Sequence, residues 1–117
     1  IRLLVVMINK FIVAFQGLVS SFQDKSVQIQ YILAILACIA AWILGCNYYE
    51  WLAILLCIGL VVVAEILNTC IEKLCDLYTT ERNEKIKFIK DLGAGGVLFA
   101  SMIALSVGIL IFIHHLF

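Results

Sequence analysis

The stretch WLAILLCIGLVVVAEILNTCIEKLCD, from Trp51 to Asp76, decides the fold. Its first fourteen residues, Trp51 to Ala64, are all apolar or glycine, and Glu65 then follows with no proline to stop a helix. A bilayer core about 30 Å thick needs about 20 helical residues at 1.5 Å each. The run reaches that length only when Glu65 and Asn68 lie inside the membrane. Glu65, Asn68, Glu72 and Asp76 stand at i, i+3, i+7 and i+11. On a helix turning about 100° per residue they fall near 0°, 300°, 340° and 20°, all on one face. An acidic group at a span centre costs about 2.5–3.5 kcal/mol on insertion scales, so it persists where it faces protein, water or a cation. A polar contact that merely fixes helix packing is the competing reading.

The rest of the chain agrees with a membrane setting. Of the 117 residues, 65% are hydrophobic and only 14% charged, with mean hydropathy +1.15. Soluble domains hold about 45–50% apolar and about 25% charged residues. This composition excludes a disordered chain, a nucleic-acid-binding domain and a small soluble enzyme. Two more spans are predicted. Ile29 to Cys46 has Gln30 as its one strongly polar side chain, and Leu92 to Ile113 has no charge at all. The expected fold is all-α integral membrane, with spans at 29–46, 51–76 and 92–113 in a single domain over 1–117. Residues 1–23, where Arg2, Lys10, Gln16 and Gln23 interrupt apolar positions, read as an amphipathic helix lying along the surface. No signal peptide is read at the N-terminus.

Charge placement sets an expected orientation. Arg2, Lys10 and Lys25 precede the first span, and Lys73, Arg82, Lys85, Lys87 and Lys90 lie between the second and third, whereas Asn47–Glu50 has no basic residue. The positive-inside rule puts the N-terminus and the 77–91 loop in the cytoplasm and the C-terminus outside. Tyr48, Tyr49 and Trp51 suit the outer interface. His114 and His115 read as interfacial residues rather than a metal site, on the expectation that nothing nearby completes the coordination. Cys38, Cys46, Cys57, Cys70 and Cys75 form no CxxC pair and read as apolar packing residues.

Depth divides the acidic stripe. Glu65 is about 21 Å along the helix from Trp51, submerged by about 9 Å, while Glu72 at about 31 Å meets the inner boundary. A submerged carboxylate suits a proton acceptor, and carboxylates at the wet edge suit Mg²⁺. Asp24 and Lys25 precede the first span at the same level, and Lys90 and Asp91 precede the third. Carboxylates for a divalent metal, a lysine for phosphate and a submerged base together describe phosphoryl transfer from a soluble donor to a membrane acceptor. Lys90 taken singly could equally snorkel at the interface. Gly93, Gly95 and Gly96 fit neither GxxxxGK[ST] nor GxGxxG. Asp91–Gly96 reads instead as a tight packing surface for the third span.

At these residues the sequence resembles the prokaryotic membrane diacylglycerol kinase family, which includes the undecaprenol kinases. EILNTCIEKLCDL (Glu65–Leu77) is similar to the family's E-[LI]-[LI]-N-[TS]-A-I-E-x-x-[VC]-D, and KDLGAGGVL (Lys90–Leu98) to its K-D-x-[AG]-[AG]-[AG]-A-V-L, at matching separation. The resemblance covers roughly residues 24 to 113. It implies an ATP- and Mg²⁺-dependent kinase of a lipid hydroxyl, multi-pass in a bacterial inner membrane, forming a homotrimeric helix bundle with active sites shared between chains. It implies Glu65 as general base with Asn68 ordering the site, Asp24 and Glu72 as metal ligands, and Lys90, Asp91, Glu81 and Asn83 at the nucleotide. Asp24-Lys25-Ser26 stands where the family usually has E-[RK]-N, and the surface helix matches only loosely around Phe11 to Leu18. Diacylglycerol is the first acceptor implied, giving phosphatidic acid, and undecaprenol the alternative. A proton- or ion-coupled transporter using Glu65 is the reading from another class, and a purely structural subunit a third. Neither explains Lys90-Asp91 beside the wet Glu72.

Overall fold

A computed structural model describes residues 1–117. The chain is all helical, a four-helix bundle without a sheet: α1 Arg2–Ser20, a single 3₁₀ turn at Ser21–Gln23, α2 Lys25–Leu44, α3 Tyr48–Tyr78 and α4 Glu84–Leu116. The three predicted spans correspond to α2, α3 and α4. α3 and α4 overrun their apolar segments at both ends, whereas α2 starts earlier than its apolar run and stops at Leu44, where Gly45 ends it two residues before the expected boundary. Asp24 caps α2 by accepting from the Val27 N–H at 3.1 Å. Asn47 and Glu50 close a reciprocal capping box on α3, both bonds at 2.9 Å. Asn83 accepts from the N–H groups of Lys85 and Ile86 to start α4. Between α2 and α3, Gly45 sits at φ 73°, ψ 43°, the left-handed conformation that lets α2 end and the chain reverse within three residues.

α3 is the central element and packs against both α2 and α4. α1 contributes no buried residue. The molecule measures 52 × 48 × 21 Å. A 33-residue α4 accounts for the longest dimension at about 1.5 Å per residue. The second dimension requires α1 to run sideways from the bundle rather than along it. Arg2–Gln23 is long and apolar enough to cross a membrane by length and composition, as are α2, α3 and α4. The chain therefore has several helices of spanning length, as in a multi-pass membrane protein.

Burial is inverted relative to a soluble bundle. Only seven residues are buried, and two of them are Glu65 and Asn68. Large apolar side chains such as Trp42, Leu56 and Phe99 point outward. Hydrocarbon around the bundle makes those faces favourable, and polar side chains then belong inside. The inward stripe of α4 runs through Gly93, Val97, Ala100, Ala104 and Val107. The tight surface expected over Asp91–Gly96 reduces to Gly93. A Cβ there would collide with the Asn68 side-chain oxygen, whereas Gly95 and Gly96 face open space. The helical period turns them about 200° and 300° away from Gly93.

This contact gives a direct test. Gly93→Ala should destabilise the chain by about 1–3 kcal/mol, because Asn68 is buried and cannot swing aside without losing its own partner. Gly95→Ala meets nothing and should be neutral or slightly stabilising. Thermal unfolding of both variants in one detergent distinguishes them.

Candidate active site

The polar stripe of α3 faces the interior, with Glu65 and Asn68 buried, Thr69 half-buried and Glu72 exposed at the end nearer the 79–83 loop. Burial thus falls along the stripe from Glu65 to Glu72. Asn68 donates its amide N–H to Glu72 Oε1 at 3.0 Å, an i,i+4 bond that orders both side chains. The same bond fixes the amide orientation, leaving Asn68 Oδ1 buried against Gly93 with no donor. An unpaired buried carbonyl costs about 1–3 kcal/mol, so this is a tolerated expense at the centre of the site.

α2 brings two groups to this face. Asp24 Oδ2 accepts from Thr69 Oγ1 at 3.1 Å while also capping α2, so one carboxylate oxygen joins the start of α2 to the middle of the stripe. Six residues on, Gln30 lies beside Glu65. Asp24 is thus joined to the α3 stripe through Thr69, and Asn68 to Glu72. Thr69 and Gln30 complete the set without having been assigned a role. Gln30 carried a visible signal, being the one strongly polar side chain of its span. Thr69 lies at i+4 from Glu65, on the same face, and is small enough to pass as a packing residue.

The basic residue approaches one turn further along. Lys90 Nζ is 2.6 Å from Asp76 Oδ1, bridging α4 to α3. This hydrogen bond holds the Lys90 ammonium above the usual lysine range, and partial desolvation works against it. Asp91 turns away to Lys87 Nζ at 2.7 Å, an exposed i,i+4 pair. Glu81 is exposed in the connection, its N–H bonded to Thr79 Oγ1 at 3.0 Å, and the Asn83 carbonyl is occupied by capping. Lys90 therefore neighbours the stripe, while Asp91, Glu81 and Asn83 stand on the polar surface beyond it.

A cleft of about 360 Å³ runs between α2 and α4 over α3, lined by Leu33, Ala37, Ile58, Val61 and Ala104 among others, with Gln30 in its wall. Gln30 is also the α2 residue that faces Glu65, so the apolar cleft and the buried carboxylate share a boundary. The donors near Glu72 and Asp24 are hard carboxylate oxygens with a hydroxyl beside them, the set that suits Mg²⁺. Within one chain no three of these acids bring ligand atoms within 4.8 Å of one another; Cys46, Glu50 and His115 do. That triplet corrects the expectation that nothing near the terminal histidines could complete a coordination sphere. The α2–α3 reversal and the end of α4 are remote in sequence, and only the fold brings them together.

Comparison with known proteins identifies the family. A family model described as "Prokaryotic diacylglycerol kinase" matches residues 12–112. The undecaprenol kinase of Bacillus subtilis (strain 168) is 32% identical over 93 residues, covering 80% of this chain and 76% of that protein. The match spans the reversed bundle, the α3 stripe and the Lys90 segment alike, and the chain belongs to the prokaryotic diacylglycerol kinase family.

Proposed function

We propose that this protein is a membrane lipid kinase that transfers the γ-phosphoryl group of ATP to a lipid hydroxyl, with an undecaprenol-type polyprenol as the favoured acceptor and diacylglycerol as the second. The observation that carries the reading is a buried Glu65, ordered beside Asn68 and Glu72, at the border of an apolar cleft. A lipid chain fits such a cleft by apolar burial, and its terminal hydroxyl then reaches the one carboxylate submerged there. The preference for a polyprenol rests on the similarity to an undecaprenol kinase, which moves that acceptor ahead of the diacylglycerol first suggested by the family motifs.

In this reading Glu65 accepts the hydroxyl proton as the oxygen attacks phosphorus, and Asn68 keeps the stripe in register by holding Glu72. Glu72 and Asp24 would hold Mg²⁺, which when bound offsets the negative charge on the phosphate oxygens. Asp24 is one methylene shorter than glutamate, and its other oxygen remains free of the cap and of Thr69. Lys90 exchanges Asp76 for the nucleotide phosphates. Asp91, Glu81 and Asn83 line the approach from the polar side. The N-terminus and the 77–91 loop face the cytoplasm, where ATP is, α1 lies along that surface, and the C-terminus is outside. The outward apolar faces of the single chain suit a homotrimer in which a neighbour closes each site.

Glu65→Gln should reduce turnover by at least about 10²-fold, the scale of a lost general base, while ATP binding in micelles stays within about twofold. Turnover equal to that of the parent would remove Glu65 from the chemistry. Purified protein assayed side by side should give higher kcat/KM on undecaprenol than on diacylglycerol in the same mixed micelles; the reverse order would restore the second acceptor. Lys90 titration supplies a further check. Because Asp76 raises the Lys90 pKa, the charge that meets phosphate persists into the alkaline range. Asp76→Asn should therefore bring the alkaline rise in KM for ATP to lower pH, measured as a KM–pH profile against the parent.

A further inference from the structure

The far end of the bundle carries a second constellation, which the phosphoryl-transfer reading does not use. We propose that Cys46, Glu50 and His115 form a transition-metal site of the zinc class. A thiol sulfur, a carboxylate oxygen and an imidazole nitrogen lie within 4.8 Å of one another, and all three residues are half-buried. The His115 Nε2 is 2.9 Å from the Glu50 carboxylate, whose side chain is 12% exposed. Glu50 lies fifteen residues before Glu65 on α3, or about 22 Å along the helix axis, so this site is separate from the carboxylate stripe.

Each ligand is fixed by backbone structure. Gly45 in its left-handed conformation ends α2, and the Cys46 N–H bonds back to the Ala41 carbonyl at 3.1 Å, which fixes the backbone that carries the thiol. Glu50 is held from behind by the Asn47 N–H at 2.9 Å, a bond to the carboxylate of the kind that orients metal ligands in built sites. His115 stands in the last turn of α4, on the inward stripe that continues from Ala100. His114 next to it is exposed and points away.

The chemistry selects the metal. One soft sulfur, one borderline nitrogen and one hard oxygen suit Zn²⁺ or Co²⁺ and not Mg²⁺ or Ca²⁺. Tetrahedral zinc, with bonds of about 2.0–2.3 Å, holds its donors about 3.3–3.7 Å apart. His115 and Glu50, at 2.9 Å, would part slightly to admit an ion between them, and Cys46 lies within 4.8 Å of both, so side-chain rotation at three helix ends reaches that geometry. Three protein ligands leave a fourth position for water. Binding releases the thiol proton to solvent and joins the α2–α3 reversal to the end of α4, so a bound ion stabilises the folded chain by mass action.

The test uses the full chain in detergent micelles, purified through a tag that contains no histidine. Co²⁺ titration should saturate at one equivalent per chain, with sulfur-to-cobalt charge-transfer absorption and the visible bands of a tetrahedral ion. Zn²⁺ should displace it and raise the melting temperature. Cys46→Ser should abolish the charge-transfer band. Cys46→Ser, Glu50→Gln and His115→Gln should each weaken Zn²⁺ by at least the roughly 10- to 100-fold that follows loss of a group hydrogen-bonded to a ligand. Cys57→Ser, which alters a cysteine within the span, should leave both signals intact. Absence of stoichiometric binding, or binding that Cys46→Ser leaves unchanged, would overturn the site.

Discussion

A helix that must cross hydrocarbon cannot leave a carboxylate facing outward, and every other feature of this bundle accommodates that constraint. α3 carries four polar groups on one face, and α2 and α4 cover the two of them, Glu65 and Asn68, that lie farthest from the 79–83 loop. Gly93 allows the close approach of α4, and Asp24 with Gln30 supplies polar company from α2. Along the middle of the bundle the outward side chains are apolar, as a hydrocarbon setting favours. The chain buries little of itself, and its cohesion comes from close backbone approach and a few interior hydrogen bonds rather than from a hydrophobic core.

Much of this was legible in the residues. The helices are set by apolar run length, and the stripe by the spacing of Glu65, Asn68, Glu72 and Asp76. Both are local, periodic properties that a sequence displays directly. The inward orientation of the stripe follows from insertion cost, and the structure shows it in the burial of Glu65 and Asn68. Partner choice is different in kind. That Lys90 meets Asp76, that Asp91 turns to Lys87, and that Thr69 donates to Asp24 depend on sub-helical rotations which spacing does not fix. The same limit explains the glycines. Three close together suggest a smooth packing face, yet the helical period presents only Gly93 to α3.

The grouping of Cys46, Glu50 and His115 was hidden for a stronger reason. Glu50 and His115 are 65 positions apart, and nothing periodic relates them. Their meeting is the result of two antiparallel helices of nearly equal length, α3 with 31 residues and α4 with 33. A helix pair of matched length brings the first turn of one beside the last turn of the other. The acidic residue needed to close the α3 capping box then stands opposite the histidine at the end of α4.

The single oxygen of Asp24 that serves both Val27 and Thr69 has a mechanical implication. A rotation of that side chain cannot occur in isolation, because it would unfasten the opening turn of α2 and release a hydroxyl on α3 in the same movement. The point where the chain leaves the 3₁₀ turn and enters the bundle is thereby geared to α3 at Thr69, while Ser21 with Tyr31 and Gln28 with the Phe22 carbonyl clamp the turn itself onto α2.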